Sequence, residues 1–230
     1  MNKTKTSCDV QSCFMCQGCM PDWLQLMAIH KKNLHFRKGE LIFKEGQPIE
    51  GIYFLYKGKV KVHKHWGQEK ELIIRFATNG DIVGHRGFGS NATYPVSATA
   101  LEPTIICFVE TDFFLSTLNI NPQLTFKLML FYASELQAAE HRMSNLVHMD
   151  MKGRIADSLL MLKNQFGLDE DGNINIIISR QDLASFAGAS YESIFRIMNE
   201  LVNDKIIAVQ EKNIKILNEL QLQAYTAAAV

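Results

Sequence analysis

Between Ser179 and Leu217 the chain has little freedom in how it folds. Ser179-Arg180-Gln181-Asp182 has the Ser-x-x-Asp form of an N-terminal capping box and leads into Leu183-Ala184-Ser185-Phe186. Gly188 stops that helix, and Ser190 caps a second one running from Tyr191 to about Asn203. Two short helices joined by a tight glycine turn are what a helix-turn-helix requires. Ala184 is small where the helices must cross, and Leu183 and Ile194 hold them together. Lys205–Val209, Gln210–Asn213 and Ile214–Leu217 then read as strand, turn and strand, which adds a wing. The specificity of the pattern lies in its order: helix, glycine, helix, hairpin.

On the second helix Tyr191, Glu192, Phe195 and Arg196 share the face that would enter a major groove. Glu192 is suited to accept from a cytosine amino group, and Arg196 to reach guanine O6 and N7 together. Ser179, Arg180, Gln181 and Ser190 complete the expected DNA-contacting set. The plainer alternative is a surface ion pair between Glu192 and Arg196, four residues apart, worth about 0.3–0.5 kcal/mol. The charge balance is a caution. Five basic and five acidic residues lie between 179 and 217, and 24 Lys and Arg balance 24 Asp and Glu over the chain. Non-specific phosphate attraction should therefore be modest, and a dimer reading two half-sites about one helical turn apart tolerates that.

Upstream, short β-rich runs occupy residues 34–110: Leu41–Phe43, Ile52–Leu55, Lys59–Val62, Leu72–Ile74 and Thr104–Phe108. Glycines at 39, 46, 58, 67, 80 and 84 punctuate them at the spacing of an all-β barrel or sandwich, with Trp66-Gly67-Gln68 as a hairpin turn. After residue 111 the pattern is helical. Thr125, Met129, Tyr132, Leu136, Ala139, Met143 and Leu146 recur with spacing 4-3-4-3-4-3. Such a stripe suits the seam of a parallel homodimer, or else it packs on the β-domain. A break is expected near Asp150–Gly153, followed by a helix from about Arg154 to Phe166, a loop at 167–172 and a strand at Ile174–Ile178.

Four of the five cysteines, Cys8, Cys13, Cys16 and Cys19, fall within twelve residues, and the fifth is Cys107. No apolar run approaches a membrane span and the N-terminus lacks the core of a signal peptide, so the expected compartment is the cytoplasm. There, clustered cysteines argue for metal or redox chemistry before disulfides. Cys13-x-x-Cys16-x-x-Cys19, with Pro21 two residues on, has the three-ligand spacing of bacterial ferredoxin clusters. The same thiolates also suit a tetrahedral zinc, or a thiol/disulfide switch without metal. An isolated cysteine on an apolar strand, as Cys107 is, is commonly an inert core residue.

Taken together, Lys38–Gly46, Gly58–Lys61, Gly80–Gly84 and Arg180–Glu200 resemble the Crp/Fnr family, from Phe36 to Leu217. The resemblance implies an α+β chain with a double-stranded β-helix sensor of the cyclic-nucleotide-binding type, a long dimerisation helix and a C-terminal winged helix-turn-helix. The expected divisions are a Cys-rich arm at 1–22, the β-roll at 23–120, the dimerisation helix at 121–150 and the DNA-binding domain at 151–230. Met129, Tyr132, Leu136, Ala139, Met143 and Leu146 form the expected dimer seam. Glu192 and Arg196 match the family's Glu-x-x-x-Arg reading motif, with Phe195 where glycine or serine is usual.

The closest pattern within the family is the oxygen-sensing branch. By that resemblance Cys107 is the distant fourth ligand beside Cys13, Cys16 and Cys19, the cofactor is a [4Fe–4S] cluster and Cys8 is spare. In the cyclic-AMP branch an arginine pairs with the phosphate and a glutamate with the ribose. Val96 stands in place of the arginine and Ile82-Val83-Gly84 lacks the glutamate, so cAMP is not expected, although Arg86 offers a compensating charge. Haem is a further possibility in the family, with His30, His35, His63, His65, His85, His141 and His148 as candidates. The implied partners are duplex DNA, a second copy of the chain and, for an activator, RNA polymerase. No catalytic constellation is present, and an enzyme is not expected.

Overall fold

The computed structural model of the chain describes residues 10–67, 70–88 and 91–227. Cys8, and Gln68 of the expected hairpin turn, lie outside the described residues. The chain divides into two compact units, 1–65 with 74–135 and 66–73 with 136–230.

The first unit opens with a single 3-10 turn, Cys16–Gly18, and α1 (Pro21–His30). Eight strands follow: β1 (Lys32–Phe36), β2 (Leu41–Phe43), β3 (Gly51–Lys57), β4 (Val60–Trp66), β5 (Lys70–Ala77), β6 (Ile82–Val83), β7 (Ser97–Ala100) and β8 (Thr104–Glu110). They form two four-stranded sheets, ordered β1-β8-β3-β6 and β2-β7-β4-β5. Then come α2 (Thr111–Ile120) and α3 (Pro122–His148), the latter opening on a proline that its first turn accommodates. The end of β5 that carries the hairpin and the second half of α3 belong to the other unit.

The pairing of β3 with β8 explains why both read as unbroken apolar runs. Tyr53 lies opposite Phe108 and Phe54 opposite Cys107. Because side chains alternate along a strand, Tyr53, Leu55, Ile106 and Phe108 join one core cluster, and Ile52, Phe54, Cys107 and Val109 join another. The first fills the space within the β-roll, where Phe43 stacks on Tyr53 and Tyr94 and Tyr53 meets Phe108 at a tilt, with ring separations of 4.4–5.1 Å. The second cluster lies under the helices and takes in Met27 of α1, Phe114 of α2 and Leu124 and Leu128 of α3. Truncating a fully buried aromatic such as Phe54 or Phe114 to alanine removes about 3–5 kcal/mol.

The second unit contains α4 (Met151–Phe166), α5 (Arg180–Ala187), α6 (Tyr191–Asn203), the hairpin β9 (Ile207–Gln210) and β10 (Asn213–Ile216), and α7 (Glu219–Ala227). α4 packs on α5, α6 and α7.

Several expectations need correction. The break after α3 is made by Asp150, which caps α4 by accepting from the Gly153 amide at 2.7 Å. Gly153 itself lies buried within α4 and does not interrupt it. Ile174–Ile178 alternates in burial, with Ile174, Ile176 and Ile178 inward and Ile177 exposed, but it forms no strand. Ile174 makes an isolated bridge to Leu168 and donates its amide to Ile214, so the alternation comes from packing against a core without a ladder. The strands β1, β6 and β7 and the helices α1 and α7 were not expected from the sequence. Among the described residues no helix is long and apolar enough to cross a membrane.

Candidate nucleic-acid interface and thiol arm

The geometry around α5 and α6 follows from its caps. Ser179 Oγ accepts from the Asp182 amide at 2.9 Å while Asp182 Oδ2 accepts from the Ser179 amide at 3.1 Å, a complete capping box. Gly188 ends α5 in the left-handed region at φ +63°, which a side chain would resist. Ser190 Oγ accepts from the Ser193 amide at 3.1 Å and starts α6 two residues later. The two helices therefore meet across a three-residue turn.

α6 is sharply two-sided. Ile194, Ile197, Met198 and Leu201 are buried. Tyr191, Glu192, Phe195 and Arg196 are exposed, and Asn199 continues the same face one turn on. Tyr191 and Phe195, with relative exposures of 53% and 54%, add two aromatic rings to that face. Among the described residues Glu192 and Arg196 make no ion pair with each other. Gln181 is exposed at the start of α5, and Arg180 is half-buried with its Nη1 shielded from water and without a hydrogen-bond partner. β9 and β10 pair antiparallel, Gln210 opposite Asn213, around a tight turn in which Glu211 takes φ +55°. The face offers what base reading asks for: a carboxylate, a guanidinium, an amide and two aromatic rings on one exposed helix, and among the described residues no side-chain hydrogen bond or ion pair occupies Glu192, Arg196 or Asn199.

The Cys-rich arm is held on the first unit by contacts scattered along its length. The Phe14 amide donates to Gly80 O at 2.9 Å. Gly80 sits at φ +89°, and a Cβ there would lie 2.3 Å from Ser12 O, so the turn is open to the arm only because it is glycine. A Cβ on Gly18 would come within 2.7 Å of Leu124 Cα, and its absence lets the 3-10 turn press against α3. Lys127 of α3 donates to Phe14 O at 3.0 Å and to Gln17 Oε1 at 2.5 Å. Met20 donates its amide to Oδ1 of the fully buried Asn121 at 2.8 Å, and Trp23 Nε1 donates to Thr117 Oγ1 at 3.0 Å.

These contacts fix the thiols. Cys16 and Cys107 are buried, Cys13 and Cys19 half-buried, and no disulfide joins any of them. Cys13, Cys19 and Cys107 border the same apolar cluster beneath the helices. Burial, and then the charge of Cys13, push the Cys19 thiol up to about 11. Among the described residues no three cysteine sulfurs lie within 4.8 Å of one another. A single zinc with Zn–S bonds of about 2.3 Å would draw them to about 3.8 Å. Four thiols without disulfides, two buried and two half-buried, three of them bordering one apolar cluster, fit an iron–sulfur cluster chemically.

α3 turns Leu124 and Leu128 into the core and leaves Met129, Leu136, Ala139, Met143 and Leu146 exposed, together with Phe126, Leu130 and Val147. Tyr132 is drawn to its own β-roll, where its hydroxyl donates to His85 O at 2.6 Å. One turn later Glu135 accepts from Arg75 Nη1 at 2.9 Å and from Arg86. Five of the seven histidines are exposed, and His63 and His85 are buried. Burial first, then the charges of Arg75 and Arg86, push His85 down to about 3. Its ring is neutral at ordinary pH.

Residues 33–121 match the cyclic nucleotide-binding domain, and residues 153–225 match the Crp-like helix-turn-helix domain. The chain belongs to the Crp/Fnr family of transcription regulators. Among its Crp/Fnr relatives is the "Anaerobic regulatory protein" of Bacillus subtilis, 27% identical over 201 residues, covering 86% of this chain and 84% of the relative. Another is the "CRP-like cAMP-activated global transcriptional regulator" of Mycobacterium tuberculosis, 23% identical over 208 residues, covering 90% and 93%. The structure of FixK2 from Bradyrhizobium japonicum superposes with a TM-score of 0.77 at 26% identity, over 87% of this chain and 99% of that one. The fold is therefore Crp-like, and this Crp/Fnr chain is a DNA-binding transcription regulator. Sequence reasoning missed Asn199, although the helical period from Phe195 and Arg196 leads to it. It also missed the arm-holding roles of Gly80, read only as a turn glycine, and of Asn121 and Lys127, whose partners lie 66 to 113 residues away in the chain and leave no local signal.

Proposed function

We propose that this Crp/Fnr regulator works as a homodimer that reads two DNA half-sites with α6 and senses oxygen or redox state through a [4Fe–4S] cluster held by Cys13, Cys16, Cys19 and Cys107. The observation that carries the sensor half is the gathering of Cys13, Cys19 and Cys107 around one apolar cluster. The name of the Bacillus subtilis relative, an anaerobic regulatory protein, supports it. When bound, such a cluster supplies an oxygen-labile centre.

The chain's own residues do the rest. Lys127, Gly80 and Asn121 hold the arm where its thiols meet the core under α3. Met129, Leu136, Ala139, Met143 and Leu146 give α3 an apolar stripe for its twin, with Tyr132 at its edge. Ser179, Arg180, Gln181 and Ser190, at the two helix starts, take phosphates, while Tyr191, Glu192, Phe195 and Arg196 face base edges. As an activator the dimer would act with RNA polymerase. A cyclic nucleotide is not the proposed effector. Val96, where the family's cyclic-AMP branch carries arginine, is 4% exposed within the apolar core of the β-roll and offers an anion nothing.

The test is selection of binding sites from random duplexes with protein kept free of oxygen, followed by titration before and after air. The account expects a two-fold-related site with half-sites about one helical turn apart, bound more weakly after air. Absence of a selected site contradicts the DNA-reading half. Equal affinity before and after air, in protein whose iron is lost, contradicts the sensor half.

A further inference from the structure

Lys127 is a residue of α3 whose ammonium hydrogen-bonds the Cys-rich segment, beside the apolar contacts that Leu124 and Phe131 of the same helix make with Gly18 and Phe14. Its Nζ lies 3.0 Å from Phe14 O and 2.5 Å from Gln17 Oε1, and 4.6 Å from the centroid of the Phe14 ring. It thus holds two points of the stretch between Cys13 and Cys19, the first of them one residue from Cys13, with which it interacts electrostatically. Beside it, Gly18 closes on Leu124 of the same helix. A lysine used only to decorate a helix has no reason to lie inward over a backbone carbonyl.

We propose that Lys127 is a positioning residue for the sulfur ligands of the arm. It clasps the arm to α3 through the Phe14 carbonyl and so keeps one ammonium charge at the residue next to Cys13. The clasp is a property of the polypeptide and does not depend on a bound group. The charge matters once the thiols act as thiolates, which builds on the iron–sulfur reading. Four thiolates around a cluster leave net negative charge, and net charge near the sulfurs is a main determinant of cluster potential. An ammonium beside Cys13 favours the reduced form, and its removal makes oxidation easier. Since the same side chain belongs to α3, this contact gives the state of the thiols a route to the helix.

The experiment compares the full chain with Lys127→Met and Lys127→Arg. In metal-free protein, amide exchange over residues 13–18 should quicken by about tenfold in Lys127→Met and stay near the parent rate in Lys127→Arg. In protein loaded without oxygen, iron and sulfide per chain should match in all three. The midpoint potential should fall, and bleaching in air should quicken several-fold, in Lys127→Met alone. Unchanged exchange in Lys127→Met overturns the clasp. An unchanged potential and bleaching rate overturn the charge. If the parent chain takes up no iron and sulfide, the charge fails together with the sensor reading, while the exchange measurement still decides the clasp.

Discussion

Glu192 and Arg196 stand one turn apart on the exposed face of α6, and among the described residues neither side chain pairs with the other or makes a hydrogen bond. At this spacing a helix offers them a surface ion pair worth a few tenths of a kcal/mol. Leaving it unmade keeps a carboxylate and a guanidinium available to bases, where a good bidentate contact discriminates by about 1–3 kcal/mol. Glu192→Ala and Arg196→Ala should each reduce discrimination between the selected site and its single-base variants by roughly 5- to 150-fold. The melting temperature should hardly move. Competition binding with matched and mismatched duplexes checks this, and full discrimination in both variants would remove α6 as the reading helix.

The exposed stripe of α3 sets a second expectation. Leu136 and Met143 are 61% and 63% exposed in the single chain. A carboxylate at either position cannot be buried unpaired in a seam. Leu136→Asp and Met143→Asp should sediment as folded monomers and bind a full site far more weakly than the parent. A dimer that survives both changes would place the interface elsewhere.

Glu135 ties α3 to the roll by accepting from Arg75 and Arg86, whose side chains, like its own, are less than a third exposed. The pairs lie between the surface case, worth up to about 1 kcal/mol, and the buried case, where losing one partner costs about 3–5 kcal/mol. Glu135→Gln should therefore lower unfolding free energy by about 1–3 kcal/mol in urea titration. Among the described residues no other side chain links Arg75 and Arg86, so loss below about 0.3 kcal/mol would show the network to be idle.

His85 gives a pH dependence whose sign is fixed. Its pKa is lowered from 6.5 to about 3, so the native state refuses a proton that the unfolded chain accepts. Its contribution is complete above pH 6.5 and is lost as pH falls toward 3, by up to about 1.4 kcal/mol per pH unit. In His85→Gln the acid limb of the stability curve should flatten over that window. Parallel acid limbs for parent and variant would mean that His85 takes up its proton in the native state.

The parts of the fold that were legible in the sequence are those whose cause is local. Capping by Ser179 and Ser190, the stop at Gly188 and the apolar runs of β3 and β8 are each written within a few residues. α1 was not legible, because only Met27 of its ten residues is fully buried and no apolar stripe results. α7 likewise buries only Leu222. β7 is Ser97-Ala98-Thr99-Ala100, poor in the branched residues that mark strands, and earns its place by pairing with β2 and β4. Ile174–Ile178 misled in the opposite direction, since an alternating pattern records burial and not pairing. In the site, residue types and spacing revealed the cysteines and the α6 face. They could not reveal that Gly80 and Lys127 hold the arm, because those contacts exist only once the β-roll and α3 have formed.

The most direct test of the sensor is the absorption spectrum of protein purified without oxygen, with iron and acid-labile sulfide assayed on the same sample. The account predicts a brown chromophore with matched iron and sulfide that bleaches on exposure to air, and that is lost when Cys13, Cys16, Cys19 or Cys107 is replaced by serine. A colourless, iron-free protein, or a sharp haem band in its place, would contradict it.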